Sequence, residues 1–309
     1  MSYTIKTLLL VFVFSLVGVK LSAQQQVQYT QYMYTPSIIN PAYVGVDQVM
    51  KLSLLHRQQW VGVNGAPVSQ TLMLSAPIGK NLGIGVNVVR DQIGPTNETN
   101  TSLDLSYSLQ LNNAGLRLNF GMKGGVQLLN VDYNKLTSQN PNDPSLNENI
   151  NSRITPNIGA GIYVYNDDWY LGFSVPNLLR TKHYNKVSVS TVSATTHLYL
   201  TGGMNFNFNE NIKFKPAFLI SSVTGAPTSI DLSLNFLFNN KLTTGFSYRH
   251  NNSVSGLIDF KLNESFSLGY AYDVTTSNVS YFSGGSHEIL LRYYFTMVTS
   301  NVKQPSWAF

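Results

Sequence analysis

The residues of this 309-residue chain that could do chemistry are few and poorly spaced for it. Five histidines, His56, His183, His197, His250 and His287, show no two- or three-residue spacing that would turn a pair onto one metal ion. There is no cysteine, which removes thiolate metal sites, disulfides and a lipoprotein acylation site together. His287-Glu288 is the one place where an acid adjoins a histidine, and neighbouring strand residues point to opposite faces. A barrel hydrolase would need a nucleophile or base at its rim, but no Gly-x-Ser-x-Gly occurs and no carboxylate pair stands out. The glycines of "LGIGV" (Leu82 to Val86) and "MKGGV" (Met122 to Val126) make no phosphate loop. They suit bilayer packing or clearance inside a lumen. The reading is of a protein without catalytic residues, metal or cofactor.

What must be positioned is therefore a surface, and the elements that position it are strands. From Asp47 onward the sequence alternates with period two. "LDLSYSLQL" sets Leu103, Leu105, Tyr107, Leu109 and Leu111 against Asp104, Ser106, Ser108 and Gln110. "GLRLNFGMK" sets Leu116, Leu118, Phe120 and Met122 against Arg117, Asn119, Gly121 and Lys123. The pattern predicts fourteen strands, near 47–58, 67–77, 81–92, 98–111, 114–131, 153–165, 168–177, 195–207, 211–222, 228–238, 241–250, 253–262, 265–275 and 286–296. Most reach the roughly 9 to 11 residues of a tilted membrane-spanning strand, against roughly five or six in soluble sheets.

The connections fall into two alternating sets. Tight turns rich in Asn and Gly follow the even strands, at Ile78-Gly79-Lys80, Asn112-Asn113, Asn166-Asp167, Asn209-Glu210, Asn239-Asn240 and Asn263-Glu264. Most connections after odd strands are longer, notably 132–152 and 178–194, with Asn251-Asn252 the short exception. That layout predicts an all-β, transmembrane antiparallel outer-membrane barrel of about 14 strands, with short turns and both termini in the periplasm. In lipid an open sheet edge is untenable, so the sheet must close. Trp60, Trp169, Tyr293 and Phe295 fall near strand ends, where aromatic girdles belong. The inward positions Arg117, Lys123, Gln127, Glu288 and Arg292 would either line a pore or fill the lumen with a hydrogen-bond network. Asp91 and Asp273, near outer strand ends, read as turn caps.

Upstream, Lys6 and the apolar run Leu8 to Val19 read as a signal peptide over 1–23, with a cut before Gln24. Twelve apolar residues fall short of the roughly 20 of a spanning helix. Charged residues make up only 11%, and losing Lys6 and Lys20 would lower the formal charge from +5 to +3. Without any Lys/Arg cluster, a basic balance of that size gives no reason to expect nucleic acid. The division expected is signal peptide 1–23, N-terminal periplasmic segment 24–46, barrel 47–296 and periplasmic tail 297–309.

The segment before the first strand, "QYMYTPSIINPAYVG" (Gln31 to Gly45), is uncharged, aromatic and broken by Pro36 and Pro41. With "RQQWVGVNGAPVSQTLMLSAPI" (Arg57 to Ile78), "LGIGVNVVRDQIGP" (Leu82 to Pro95), "WYLGFSVPNLL" (Trp169 to Leu179), "GYAYDVTTS" (Gly269 to Ser277) and "SHEILLRYYF" (Ser286 to Phe295), it resembles the PorP/SprF family of outer-membrane proteins associated with type IX secretion and gliding motility. Val44 departs from the family pattern, as does the tail from Thr296 to Phe309. The resemblance implies a non-enzymatic barrel that supports secretion and surface attachment of a secreted partner, such as a large gliding adhesin. It also implies contacts with periplasmic secretion-machine or peptidoglycan-binding components, in a setting of outer-membrane lipid. A diffusion channel or apolar-solute transporter is the alternative. The motif positions, and with them the candidate partner contacts, are Gln31, Tyr32, Met33, Asn40, Pro41, Tyr43, Arg57, Gln59, Trp60 and Asp273. The 24–46 segment is expected to dock in the periplasmic mouth or lumen, either as a plug or as a contact for partners.

Overall fold

In the computed structural model the described residues are 27–136, 149–179, 182–185, 188–193, 196–223, 226–295, 305 and 307–308. The signal-peptide reading and most of the tail lie outside them, as does 137–148 of the expected outer loop 132–152.

The period-two alternation becomes a wall with two chemistries. Its strands are β1 (Met50–Gln58), β2 (Val68–Ile78), β3 (Leu82–Ile93), β4 (Thr96–Gln110), β5 (Arg117–Val131), β6 (Ile150–Tyr165) and β7 (Trp169–Val175). A hairpin of β8 (Lys182–Asn185) and β9 (Ser188–Ser193) stands apart from the wall. The wall resumes with β10 (His197–Met204), β11 (Phe206–Asn207), β12 (Ile212–Val223), β13 (Ser229–Phe238), β14 (Leu242–Arg249), β15 (Ser253–Lys261), β16 (Phe266–Thr275) and β17 (Ser286–Phe295). β10 and β11 both pair β12 and form one stave interrupted at Asn205, so the wall has fourteen staves. Every neighbour is antiparallel, and β1 pairs β17 from Met50↔Phe295 to Gln58↔His287, closing the barrel.

Inward positions are buried and mostly polar: Lys51, Ser53 and Arg57 on β1, Asp104, Ser106 and Ser108 on β4, Asp231, Ser233 and Asn235 on β13. Outward positions such as Leu103, Leu105, Ile162, Leu232, Phe246 and Ile258 are exposed apolar side chains, the inverse of a soluble fold and the arrangement that lipid requires. Aromatic rings gather at both ends of this apolar band. Phe206, Phe208, Phe214 and Phe236 pack ring against ring at the end with the short turns, and Phe266, Tyr293 and Phe295 form a second group at that end. Tyr248 with His250, and Tyr270 and Tyr272 with His287, lie at the end with the loops. Trp169 opens β7 at the turn end, whereas Trp60 sits in the loop beyond β1 with φ 47°.

The turns follow from their residues. Asn239 and Asn240 both adopt positive φ, and Gly79 has φ 64°. The side chains of Asn166, Asn209 and Asn263 each accept from backbone N–H groups two or three residues on. Asn112 holds a wider turn than the two-residue hairpin expected there, accepting from Ala114 and Leu116, which delays β5 to Arg117. β1 likewise starts at Met50, not 47, because Val46 and Gln48 are held in turns by the carbonyls of Tyr43 and Gly45. The hairpin β8–β9 inside the 178–194 connection was not anticipated by the sequence pattern.

Candidate functional site in the barrel lumen

Residues 29–47 thread the lumen, and their hydrogen bonds go to the wall. Three single turns of 3-10 helix, Tyr32–Tyr34, Pro36–Ile38 and Pro41–Tyr43, satisfy part of the backbone locally, with each proline at a first helical position where no N–H is needed. Asn40 caps the third, its Oδ1 accepting from Ala42 N–H at 2.9 Å. Side chains of the wall take most of what remains. Ser174 donates to the Ile39 carbonyl (2.8 Å), Asn119 to Ala42 (3.1 Å), Ser106 to Val44 (2.6 Å) and Lys123 to Ile38 (3.3 Å). A polar lumen is thus a complement to a bare backbone.

At the loop end the segment is clamped by charge. Arg57 of β1 is the cross-strand partner of Glu288 of β17, and its guanidinium reaches Glu288 at 3.0 Å and Asp273 of β16 at 2.6 Å. Thr30 sits between them: its hydroxyl accepts from Arg57 (3.0 Å) and donates to Asp273 (2.7 Å). Glu288 accepts from the backbone N–H groups of Thr30 and Gln31, each at 2.9 Å. Arg249, ion-paired with Asp231, donates to the Tyr29 carbonyl at 3.1 Å. Deeper in, Arg292, paired with Asp259 at 2.5 Å, lies 4.3 Å over the ring of Tyr34, and the Tyr32 hydroxyl meets Ser233 at 3.1 Å.

Toward the turn end, residues 40–45 lie in a seat made of glycines. A Cβ added to Gly121 would stand 2.1 Å from the Ala42 nitrogen, one on Gly161 2.1 Å from Asn40 Oδ1, and one on Gly83 2.2 Å from the Val44 oxygen. The backbone turns back at Gly45, whose φ of 80° and proximity to Gly83 admit no side chain. Below this seat Tyr43 joins Tyr163, Tyr165 and Tyr170 around Trp307 of the tail, which is 2% exposed. The Trp307 indole N–H donates to Asn166 O at 2.6 Å, and Lys215 donates to Ala308 O at 2.6 Å. Trp307→Ala should remove about 3–5 kcal/mol of packing and loosen this cap. Thermal unfolding of the detergent-solubilised barrel would register it, with Trp307→Phe keeping most of the packing and showing a smaller loss.

The structure brings together most of the motif residues. Gln31, Tyr32, Met33, Asn40, Pro41 and Tyr43 line up along the threaded segment, and Arg57 and Asp273 form its loop-end clamp, all buried in the lumen. Gln59 and Trp60 do not join them. They lie half-buried in the β1–β2 loop, where Gln59 N–H bonds Pro67 O and Trp60 N–H bonds Ser286 Oγ. One expectation changes and one narrows. Asp273 is not a turn cap but half of a buried ion-pair network, because Arg57 faces it across the closing strands. Of the mouth or lumen expected for the 24–46 segment, its described residues take the lumen and not the mouth alone: Thr30 and Gln31 reach the opposite end, because their anchors are near the loop ends of β16 and β17. Of the inward residues, Lys123 pairs Asp104 at 3.2 Å, and Glu288 and Arg292 are paired as described. Arg117 and Gln127 are only half-buried. Thr30, the Arg249–Asp231 pair and Trp307 gave no signal as isolated letters; only their partners identify them.

The sequence of this barrel matches a family model described as "Type IX secretion system membrane protein PorP/SprF" over residues 21–293. The chain belongs to the PorP/SprF family. No curated protein sequence matches it. Among solved structures, the CymD monoaromatic hydrocarbon channel is similar at TM-score 0.51 and 14% identity, covering 87% of this chain and 94% of that one. The toluene transporter TodX of P. putida follows at 0.47 and 10%, covering 84% and 94%, and Omp33 of Acinetobacter baumannii at 0.44 and 9%, covering 81% and 100%. At 14% identity the likeness to CymD is one of fold, an outer-membrane barrel. As a PorP/SprF protein, the chain is a membrane component of type IX secretion.

Proposed function

We propose that this PorP/SprF barrel supports type IX secretion by holding protein partners at its two ends, and that its lumen is not a route for solutes. The observation that carries this reading is the threaded segment 29–47, bonded to the wall from the Arg57 clamp to the glycine seat. A diffusion pathway needs an unoccupied passage, and here the passage holds the chain itself. The loop end faces outward in this proposal, so 178–194 and the 132–152 connection would meet a secreted partner, such as a large surface adhesin. The short turns and tail would face periplasmic secretion-machine or peptidoglycan-binding components.

Since Gln31, Tyr32, Met33, Asn40, Pro41, Tyr43, Arg57 and Asp273 are buried, their role in this reading is to set the shape of the ends, with Gln59 and Trp60 closer to a partner. Deleting the gene and profiling released and surface-exposed proteins tests it. At least one surface protein should be lost from the cell exterior or retained inside. An unchanged surface and secreted profile would overturn the proposal. In planar bilayers the intact protein should give no stable open-channel current, and steady currents would instead support a solute channel.

A further inference from the structure

The outward face of the barrel carries one exception to its chemistry. Among the described residues of the wall strands, charged side chains follow the inward parity, as Lys51, Arg57, Asp104, Lys123, Asp259 and Arg292 do, except Arg90. Arg90 lies on the outward face of β3, exposed, three residues from the strand's loop end at Ile93. Its neighbours across the sheet are polar at the same height. Gln70 of β2 is its direct partner, His56 of β1 is the partner of Gln70, and Thr99 of β4 pairs Arg90 from the other side. Four adjacent strands thus present the row His56, Gln70, Arg90, Thr99 toward lipid. Directly below, Leu54, Leu72, Val88 and Leu291 border an apolar groove of about 440 Å³ that reaches up to Arg90.

The guanidinium is held but not neutralised. Its Nε donates to Asn97 Oδ1 at 3.3 Å, and among the described residues no carboxylate pairs with it. A cation on the lipid face costs least near the interface, which is where a position three residues below the strand end falls. The terminal nitrogens form the planar fork that matches a phosphate, and Gln70 and Thr99 offer neutral donors beside it. An acyl chain fits the apolar groove beneath.

We propose that this row and groove form a binding site for one phosphate-bearing lipid of the loop-end leaflet, its headgroup phosphate on Arg90 and an acyl chain along Leu54, Leu72 and Val88. Charge complementarity selects the occupant: a lone outward cation above an apolar trough suits a molecule that is anionic at one end and hydrocarbon at the other. The site is independent of the lumen and of any secretion partner.

The test uses the full-length barrel in maltoside micelles, titrated with bisphosphorylated lipid A and followed by native mass spectrometry. Wild type should hold one lipid, and Arg90→Gln should weaken binding about tenfold, as loss of a charge-assisted bidentate contact predicts. Leu72→Trp should block the groove with Arg90 intact and weaken binding comparably. Heat-modified gel mobility establishes that both variants are folded, and both substitutions face lipid. Equal occupancy in wild type and Arg90→Gln would overturn the site. So would equal binding of a glycolipid stripped of phosphate, or displacement of the lipid by inorganic phosphate alone, which would mark a simple anion site.

Discussion

Gly121→Leu should convert a closed barrel into a conducting one. The seat for residues 40–45 exists because β3, β5 and β6 present glycine where the threaded backbone comes closest. A Cβ at Gly121 would lie 2.1 Å from the Ala42 nitrogen and 2.4 Å from its Cα. Carbon atoms prefer contacts of roughly 3.5–4.0 Å, so the overlap cannot be relieved by a side-chain rotation; backbone has to move. Of the two backbones involved, β5 is fixed by pairing along its length to β4 and β6. The segment, held mainly by side-chain contacts, is the part that yields. Its loss from the turn-end half would leave the inward face of β3 to β7 lined by Asn87, Asn119 and Lys123 around water. Planar-bilayer recordings should then show open-channel steps absent from wild type, while gel mobility still reports a folded barrel. Gly124→Leu is the control: its added Cβ meets nothing within 4 Å, and it should leave the lumen closed. Conductance unchanged in Gly121→Leu would show that the segment is not what closes the lumen.

Arg57→Ala should produce the largest loss of stability of any single change in the lumen. The Arg57, Asp273 and Glu288 side chains are 3%, 2% and 0% exposed, so the two carboxylates cannot recover their hydration when the guanidinium is removed. Breaking a buried pair in this way costs about 3–5 kcal/mol, and here one cation serves two anions. The Thr30 hydroxyl and the N–H groups of Thr30 and Gln31, which also donate to these carboxylates, belong to the threaded segment, so its loop-end half should detach as the carboxylates draw in water. Urea unfolding in micelles should show an earlier midpoint, and limited proteolysis should cut near residues 27–31. Adding Asp273→Asn and Glu288→Gln to Arg57→Ala should recover most of the midpoint, because uncharged amides no longer require the missing partner. A midpoint for Arg57→Ala equal to wild type would remove the clamp from the account.

Much of the wall was legible because lipid on one side and a polar lumen on the other impose a strict two-residue code, which survives in stretches such as Leu103 to Leu111. Asparagine turns are legible for a similar reason, since the side chain that shapes the turn is in the turn. The lumen is harder to read. Gly83 and Gly85 suggested clearance, but what they clear lies nearly forty residues upstream in the chain. Asp273 looked like a cap because its partner, Arg57, is 216 residues away across the closing seam. The course of the N-terminal segment depends on those same distant anchors, so composition could place Tyr32, Met33 and Tyr34 inside without giving the direction they run. Trp307 shows the limit from the other end: a lone tryptophan in a tail acquires meaning only from the four tyrosines around it.

The clamp also constrains the order of assembly. Thr30 and Gln31 emerge early from synthesis, yet their acceptor, Glu288, lies 258 and 257 residues later. Asp273 is 243 residues beyond Thr30. Contacts of such separation form late, because the intervening chain must first be ordered. β1 can complete the joint only by meeting β17 across the seam that closes the barrel. The segment around Thr30 is therefore among the last to lock, and a barrel whose final two strands are missing or mispaired keeps its loop-end entrance unlatched. Proper latching of Thr30 is a built-in signature that the far end of the chain has arrived and inserted.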